Sequence, residues 1–74
     1  MTLDQLIENE SGIIKQINDE SLAIQLLAMG FLIGEEVKLE RVAPLNDPIL
    51  ITSGTNHISI RKIDAKNIDI EKIR

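Results

Sequence analysis

Two short isoleucine-rich runs, joined by a glycine-containing turn, constrain the fold of this chain more than any other feature. The first run is Pro48-Ile49-Leu50-Ile51-Thr52, the second is His57-Ile58-Ser59-Ile60-Arg61, and Gly54-Thr55-Asn56 lies between them. Runs of about five residues that are rich in β-branched side chains and flank a glycine turn are typical of a β-hairpin. The sequence therefore predicts two adjacent antiparallel strands in its second half.

Three further segments have the pattern of strands, and one has the pattern of a helix. The strands are predicted at Ser11–Ile17, Glu36–Arg41 and Asn67–Glu71, and the helix from about Glu20 to Met29. A short helical turn capped by Thr2 is expected before them. Five strands and one short helix within 74 residues predict a mainly β fold that forms a closed or nearly closed barrel, since closure removes unpaired strand edges. We expect one domain over residues 1–74, and the initial Met1 favours a complete small reading frame.

The ends of the helix are marked by capping residues. Asp19 supplies a side-chain oxygen for the orphan amide groups of the first turn, and Gly30 suits the left-handed position that follows a helix end. Phe31 is then expected to fold back onto Leu26, the usual hydrophobic contact of this cap.

The helix carries more apolar residues than one buried stripe can hold. Leu22, Leu26 and Met29, at i, i+4 and i+7, are the natural residues to face the barrel. The remaining apolar residues, Ile24, Leu27 and Ala28, cannot share that stripe. Either the amino-terminal turn and the barrel loops wrap the helix, or this second face binds another protein or a second copy of the chain.

The loop Ala43-Pro44-Leu45-Asn46-Asp47-Pro48 has two interpretations. Turn chemistry alone explains much of it, because Pro48 can start a strand and Asp47 can cap the turn. The alternative is a partner contact in which the prolines limit the entropy lost on binding and Leu45 projects from the tip. The second interpretation gains support if Leu45 lies beside the helix face.

Composition argues against several classes of protein. The net charge is -4 and Phe31 is the one aromatic residue, so the chain lacks the basic surface and the stacking rings of nucleic-acid-binding proteins. No apolar run has the length of a membrane span and no signal-like segment precedes the domain, which favours a cytoplasmic protein that meets a membrane only through a partner.

The residue types needed for catalysis or metal binding are also scarce. There is no cysteine, and His57 is the single histidine, so no serine has a constellation that would activate it and no histidine cluster can form. The adjacent acids Asp19-Glu20 and Glu35-Glu36 are expected to be solvated rather than to bind a metal. Without tyrosine or tryptophan there is no aromatic groove for proline-rich peptides. We expect a non-enzymatic protein without a cofactor.

Taken in order, several segments resemble the ferrous iron transport protein A (FeoA) family over about residues 3 to 70. The segments that carry the resemblance are Leu3-Asp4-Gln5-Leu6, Gly12 and Ile14, Leu27-Ala28-Met29-Gly30-Phe31 with Gly34, Ala43-Pro44-Leu45-Asn46-Asp47-Pro48-Ile49, and Ile60-Arg61 with Ala65, Ile68 and Ile70. The chain departs from the family pattern at Ile33, where proline is frequent, and at Asn46, where glycine is frequent. The helix also lacks the arginines that are common in the family.

The resemblance implies a small SH3-like barrel that acts in the cytoplasm as an accessory partner of the ferrous iron transporter FeoB, binding the cytoplasmic region of that transporter. An alternative is a detached domain of the metalloregulator type, whose similar barrel would bind a metal ion or a peptide segment. A homo-oligomer is also compatible with the apolar helix. The residues expected to contact the partner are Ile24, Leu27, Ala28, Phe31, Pro44, Leu45, Asp47 and Pro48.

Overall fold

A computed structural model describes residues 1–73 as five strands and three short helical segments. In chain order the elements are a 3₁₀ turn (Leu3–Gln5), β1 (Ser11–Ile17), α1 (Glu20–Ala28), β2 (Glu36–Val42), β3 (Ile49–Ser53), β4 (Asn56–Ile60), α2 (Lys62–Ala65) and β5 (Ile68–Lys72). The mainly β architecture of five strands with one principal helix is confirmed. The one-turn helix α2 was not predicted.

The strands form one antiparallel sheet in the order β4-β3-β2-β1-β5. Irregularities in register occur in β1 between Ile14 and Gln16 and in β2 between Leu39 and Arg41. Such bulges bend a strand and increase its twist, which lets a small sheet curl around its core. Within residues 1–73 the end strands β4 and β5 are not hydrogen-bonded to each other, and α2 connects them.

The inside of the curled sheet is filled mainly by aliphatic side chains. Alternate residues of β3 are buried, as expected for a strand with one face on the core. The core consists of Leu3, Leu6, Ile14, Leu22, Leu26, Phe31, Val37, Leu39, Ile49, Ile51, Ile60, Ala65, Ile68 and Ile70. Because the core draws on every element, removing any one of them would expose apolar surface.

The predicted caps of α1 are confirmed at both ends. The Asp19 carboxylate accepts a hydrogen bond from the Leu22 amide at 3.0 Å. At the other end Gly30 has a φ of 87°, its amide donates to the Leu27 carbonyl at 3.1 Å, and the Phe31 amide donates to the Leu26 carbonyl at 2.8 Å. These two bonds are those of a Schellman cap, which stops the helix and turns the chain towards the barrel.

The predicted inner stripe of α1 needs one correction. Leu22 and Leu26 are buried, but Met29 is 46% exposed. Met29 is the C-cap residue and has left the helical backbone conformation (φ -98°, ψ 5°), so the helical periodicity does not extend to it. Phe31, two residues later, takes its place in the core.

Two close approaches join distant parts of the fold. The side-chain amide of Asn56, at the start of β4, packs directly on the α-carbon of Gly30, where a Cβ atom would overlap the Asn56 Nδ2. At the other end strand, the Ile70 amide donates to the Met1 carbonyl at 2.8 Å and Thr2 forms a bridge with Asp69. The amino terminus therefore covers the outer edge of β5.

The tight packing of Gly12 against β5 leads to the first prediction. A Cβ atom at residue 12 would lie 2.8 Å from the Ile70 Cδ1 and 3.0 Å from the Glu71 carbonyl oxygen, which is backbone and cannot rotate away. We expect Gly12→Ala to lower the free energy of unfolding by about 1–3 kcal/mol, the usual cost of overpacking a core. Urea denaturation measures it, with Ser21→Ala on the exposed side of α1 as the control. Equal stability of the two variants would mean that β5 moves aside freely.

The ion pair between Glu10 and Lys72 leads to a prediction about pH. The Lys72 Nζ lies 2.6 Å from one Glu10 oxygen, and the Ile7 amide donates to the other at 2.9 Å. The bond from Lys72, with a smaller contribution from the Ile7 amide, lowers the pKa of Glu10. A lowered pKa in the folded state stabilises the fold above the ordinary glutamate pKa of about 4.3, and that contribution is lost as the pH falls through the folded value.

We therefore expect Glu10→Gln to have a lower urea midpoint than the parent protein at pH 7, and the difference to shrink as the pH falls from about 5 to 3. Glu35→Gln provides a control with the same change in charge. A difference between parent and Glu10→Gln that stays constant over this pH range would contradict the role given to the carboxylate.

Candidate partner-binding surface

The outward side of α1 presents large apolar side chains to solvent. Ile24 is 63% exposed and Leu27 is 61% exposed, and Ala28 beside them is also exposed. Leu22 and Leu26 face the core from the opposite side of the helix. The three residues predicted as a second apolar face therefore lie together and uncovered.

The segment after the helix extends this apolar area. Leu32 is 40% exposed and Ile33 is 62% exposed, immediately after the Schellman turn. A groove of about 300 Å³ with an almost wholly apolar lining runs between helix and turn, formed by Ile17, Ala23, Leu27, Phe31, Leu32 and Ile33. We name Ile24, Leu27, Ala28, Leu32 and Ile33 together the helix surface. Leu32 and Ile33 were missed by the sequence analysis, although three apolar residues between Gly30 and Gly34 were a usable signal.

The helix surface is uncovered because the segments expected to wrap it lie elsewhere. The amino-terminal 3₁₀ turn packs against α2 and β5, and α1 packs mainly against β1. The alternative in which the amino-terminal turn and barrel loops bury the apolar residues of α1 is therefore wrong for Ile24 and Leu27.

Phe31 has to be removed from the predicted set of partner-binding residues. Its side chain is 1% exposed and belongs to the core. The bond from its amide to the Leu26 carbonyl turns residue 31 back over the end of the helix, and this places the ring inside the barrel. Phe31 supports the floor of the apolar groove but offers almost no surface to a partner.

The loop of residues 43–48 is exposed, yet one of its side chains has an internal role. Leu45 is 90% exposed at the tip, and Pro44 and Pro48 are exposed as well. The Asp47 carboxylate accepts a hydrogen bond from the Lys62 amide at 3.0 Å, at the start of α2. Asn46 adopts a φ of 70°, a conformation that asparagine tolerates better than most residues. Turn chemistry therefore accounts for Asn46 and Asp47, whereas Leu45 has no role within the fold.

The structure separates this loop from the helix surface. The loop follows the last residue of β2, whereas the segment after α1 leads into the first residue of β2. Strand β2 has seven residues, so the two regions lie about 20 Å apart along it. Leu45 does not lie beside the helix, and the eight predicted residues do not form one continuous site.

A second depression, of about 530 Å³, lies on the loop side of the molecule. It is lined by Asp4, Gln5, Leu6, Ile7, Glu8, Val42, Asn46 and Lys62. The lining contains both polar and apolar side chains. One of the polar groups already has a partner within the fold, since the Glu8 carboxylate accepts a hydrogen bond from the Val42 amide at 2.9 Å. The smaller apolar groove is the better candidate for binding, because its side chains gain more from leaving water.

Within the segment of chain that carries the helix surface, the charged residues are all acidic. Between Lys15 and Lys38 the sequence has no lysine or arginine, while Asp19, Glu20, Glu35 and Glu36 are all exposed. Two of these acids precede or begin α1 and two follow the Ile33-Gly34 turn. The helix surface is thus an apolar area flanked by carboxylates.

Residues 1–73 show no cluster of side chains suited to binding a metal ion. No group of three histidine, cysteine, aspartate or glutamate side chains is arranged to hold a metal ion in this part of the chain. His57 lies exposed on β4. Neither helix in the described residues has the length and apolar character needed to cross a membrane.

Comparisons with known proteins identify the family of this chain. The model of the FeoA domain matches residues 1–72. The chain is 28% identical over 74 residues to an Fe(2+) transport protein A/Fe(2+) transporter FeoB fusion protein of Porphyromonas gingivalis, and it spans 99% of its own length but only 9% of that protein.

Solved structures of relatives have the same fold. Iron(II) transport protein A from Clostridium thermocellum is 36% identical with a TM-score of 0.88, and the match covers 99% of this chain and 46% of that one. FeoA of Stenotrophomonas maltophilia, solved with zinc and described as a prokaryotic SH3 domain protein, is 28% identical with a TM-score of 0.82, covering 96% and 89% of the two chains. The fold is thus SH3-like, and the chain belongs to the FeoA family.

Proposed function

We propose that this protein is a cytoplasmic, non-enzymatic accessory protein of ferrous iron transport that binds the cytoplasmic region of FeoB through its helix surface. The observation that carries the proposal is the apolar area of Ile24, Leu27, Ala28, Leu32 and Ile33, which lies exposed beside an apolar groove. In the relative from Porphyromonas gingivalis, an FeoA sequence and FeoB occur in one fusion protein. That arrangement supports FeoB as the partner of this chain too.

Burial of the helix surface supplies part of the binding free energy. Ile24, Leu27 and Ile33 are each slightly more than 60% exposed, and covering all three would contribute about 3–5 kcal/mol. Association itself costs at least about 4 kcal/mol in lost translational and rotational freedom. The helix surface alone is therefore too small for tight binding, and further polar contacts around it are needed.

The acidic residues near the helix surface indicate what those polar contacts are. Because Asp19, Glu20, Glu35 and Glu36 flank the apolar area, the complementary surface of FeoB should be apolar at its centre and basic at its rim. Charges at a rim act mainly on the association rate and are screened by salt. Binding should accordingly weaken as the ionic strength rises.

The helix surface leads to a prediction that can be checked by calorimetry. We expect Ile24→Gln and Leu27→Gln each to raise the Kd for the purified cytoplasmic region of FeoB from the same source about tenfold, since each removes about 1.4 kcal/mol of apolar burial. The titrations are run both with and without added GTP.

Ile63→Gln is the matched control for this experiment. Ile63 is 66% exposed, about as much as Ile24, but it lies on α2. All three substitutions should leave the urea midpoint nearly unchanged, because the replaced side chains lie on the surface. An equal loss of affinity in the control, or parent protein that fails to bind FeoB with any nucleotide, would overturn the proposal.

Leu45 allows the contribution of the loop to be measured separately. If a large partner such as FeoB also reaches the far end of β2, Leu45→Ser should weaken binding by about 1 kcal/mol or more without destabilising the fold, because the leucine is 90% exposed. Combined with Leu27→Gln, the two effects should add, since residues this far apart rarely couple. Unchanged affinity in Leu45→Ser would restrict the interface to the helix surface.

A further inference from the structure

Strand β4 is an end strand of the sheet with one free edge. It pairs with β3 from Ser53↔Asn56 to Ile49↔Ile60, across the two-residue turn Gly54-Thr55. Within the described residues β3 is the one strand that pairs with it. A row of backbone groups on the opposite edge of β4 is therefore open to pairing.

The register decides which backbone groups face outward. In a hairpin with a two-residue turn, the closing pair exchanges both hydrogen bonds, and every second pair after it does the same. Asn56, Ile58 and Ile60 therefore bond to β3. The amide and carbonyl groups of His57 and Ser59 point away from the sheet, and none of these four groups is bonded to another element in residues 1–73.

The free edge of β4 lacks the devices that usually protect an edge strand. Residues 49–60, which form both strands of the hairpin, contain no aspartate, glutamate, lysine, arginine or proline. Charged side chains and proline are the common means of blocking edge-to-edge pairing. The other end strand, β5, is covered by Met1 and Thr2. One edge of the sheet, at β5, is therefore paired with the amino terminus, whereas the other, at β4, is unpaired within the described residues.

We propose that the free edge of β4 binds a second copy of this chain. Two antiparallel β4 strands, related by a two-fold axis at Ile58, would form a continuous ten-stranded sheet. The His57 amide would donate to the Ser59 carbonyl of the second copy and the Ser59 amide to its His57 carbonyl. The same two bonds repeat by symmetry, so all four outward groups of each copy are satisfied.

Charge favours a second copy at this edge rather than at the helix surface. Each chain carries a net charge of -4, so two copies repel each other wherever their acids approach. Contact through the helix surfaces would bring together the acids at 19, 20, 35 and 36, whereas the hairpin of residues 49–60 carries no formal charge at pH 7 with His57 neutral. The contact is short, so it belongs to the small and transient class of interfaces.

A dilution series followed by ¹H–¹⁵N NMR tests this proposal on the full chain. Between about 1 mM and 20 μM, we expect the amide shifts of residues 56–60 to change in a saturable manner, with a Kd between about 0.1 and 1 mM. Amide exchange of His57 and Ser59 should slow at the high concentration. Spectra that do not change with concentration, or changes centred on α1, would overturn the proposal.

Substitutions that place a charged side chain on β4 provide a second test of self-association through this strand. Ser59→Lys and His57→Lys both introduce a positive charge at an exposed outward position of β4, and each should raise the Kd at least tenfold. Ser21→Lys on exposed α1 is the matched control and should leave the Kd within about twofold. Well-dispersed spectra establish that the variants are folded. Loss of self-association in Ser21→Lys with retention in both β4 variants would move the contact to the helix surface and refute the edge.

Discussion

A barrel of this size has room for only one side of a helix, and the rest of the structure depends on this constraint. Leu22 and Leu26 fill the space that the curled sheet leaves for α1, and Phe31 fills the remainder after the Schellman turn. These three side chains are the contribution of the helix and its cap to the core. The other large apolar residues of the helix therefore point away from the barrel, where Ile24 and Leu27 form the surface that we propose binds FeoB.

The same constraint separates the molecule into regions of different chemistry. The end that carries α1 combines apolar side chains with carboxylates, which suits a partner with basic groups. The hairpin is free of formal charge and offers backbone groups instead. The two proposed binding surfaces of this 74-residue chain therefore differ in chemistry and would not compete for the same kind of partner. Binding to a transporter and weak pairing of copies are compatible on these grounds.

Local sequence signals predicted the elements well, because hairpins and helix caps depend on neighbouring residues. The Asp19 cap, the turn at Gly30 and the conformation of Asn46 are all consequences of residue type. The errors arose where the periodicity stops or where distant segments meet. Met29 and Phe31 were misplaced because the helix ends at Ala28, before both of them. The bond from the Lys62 amide to the Asp47 carboxylate joins residues 15 apart, beyond the reach of any local pattern. The one-turn α2 is too short to show a helical period.

The contact between Gly30 and Asn56 connects the helix surface to the free edge of β4. The Gly30 α-carbon supports the side chain of Asn56, so the end of the helix and the first residue of the edge strand share one point of contact. A ligand that shifts the helix end would displace Asn56 as well, and linkage requires any such effect to be reciprocal. If FeoB binds the helix surface as proposed, its binding would change the tendency of two copies to pair, and pairing would alter the affinity for FeoB by the same factor.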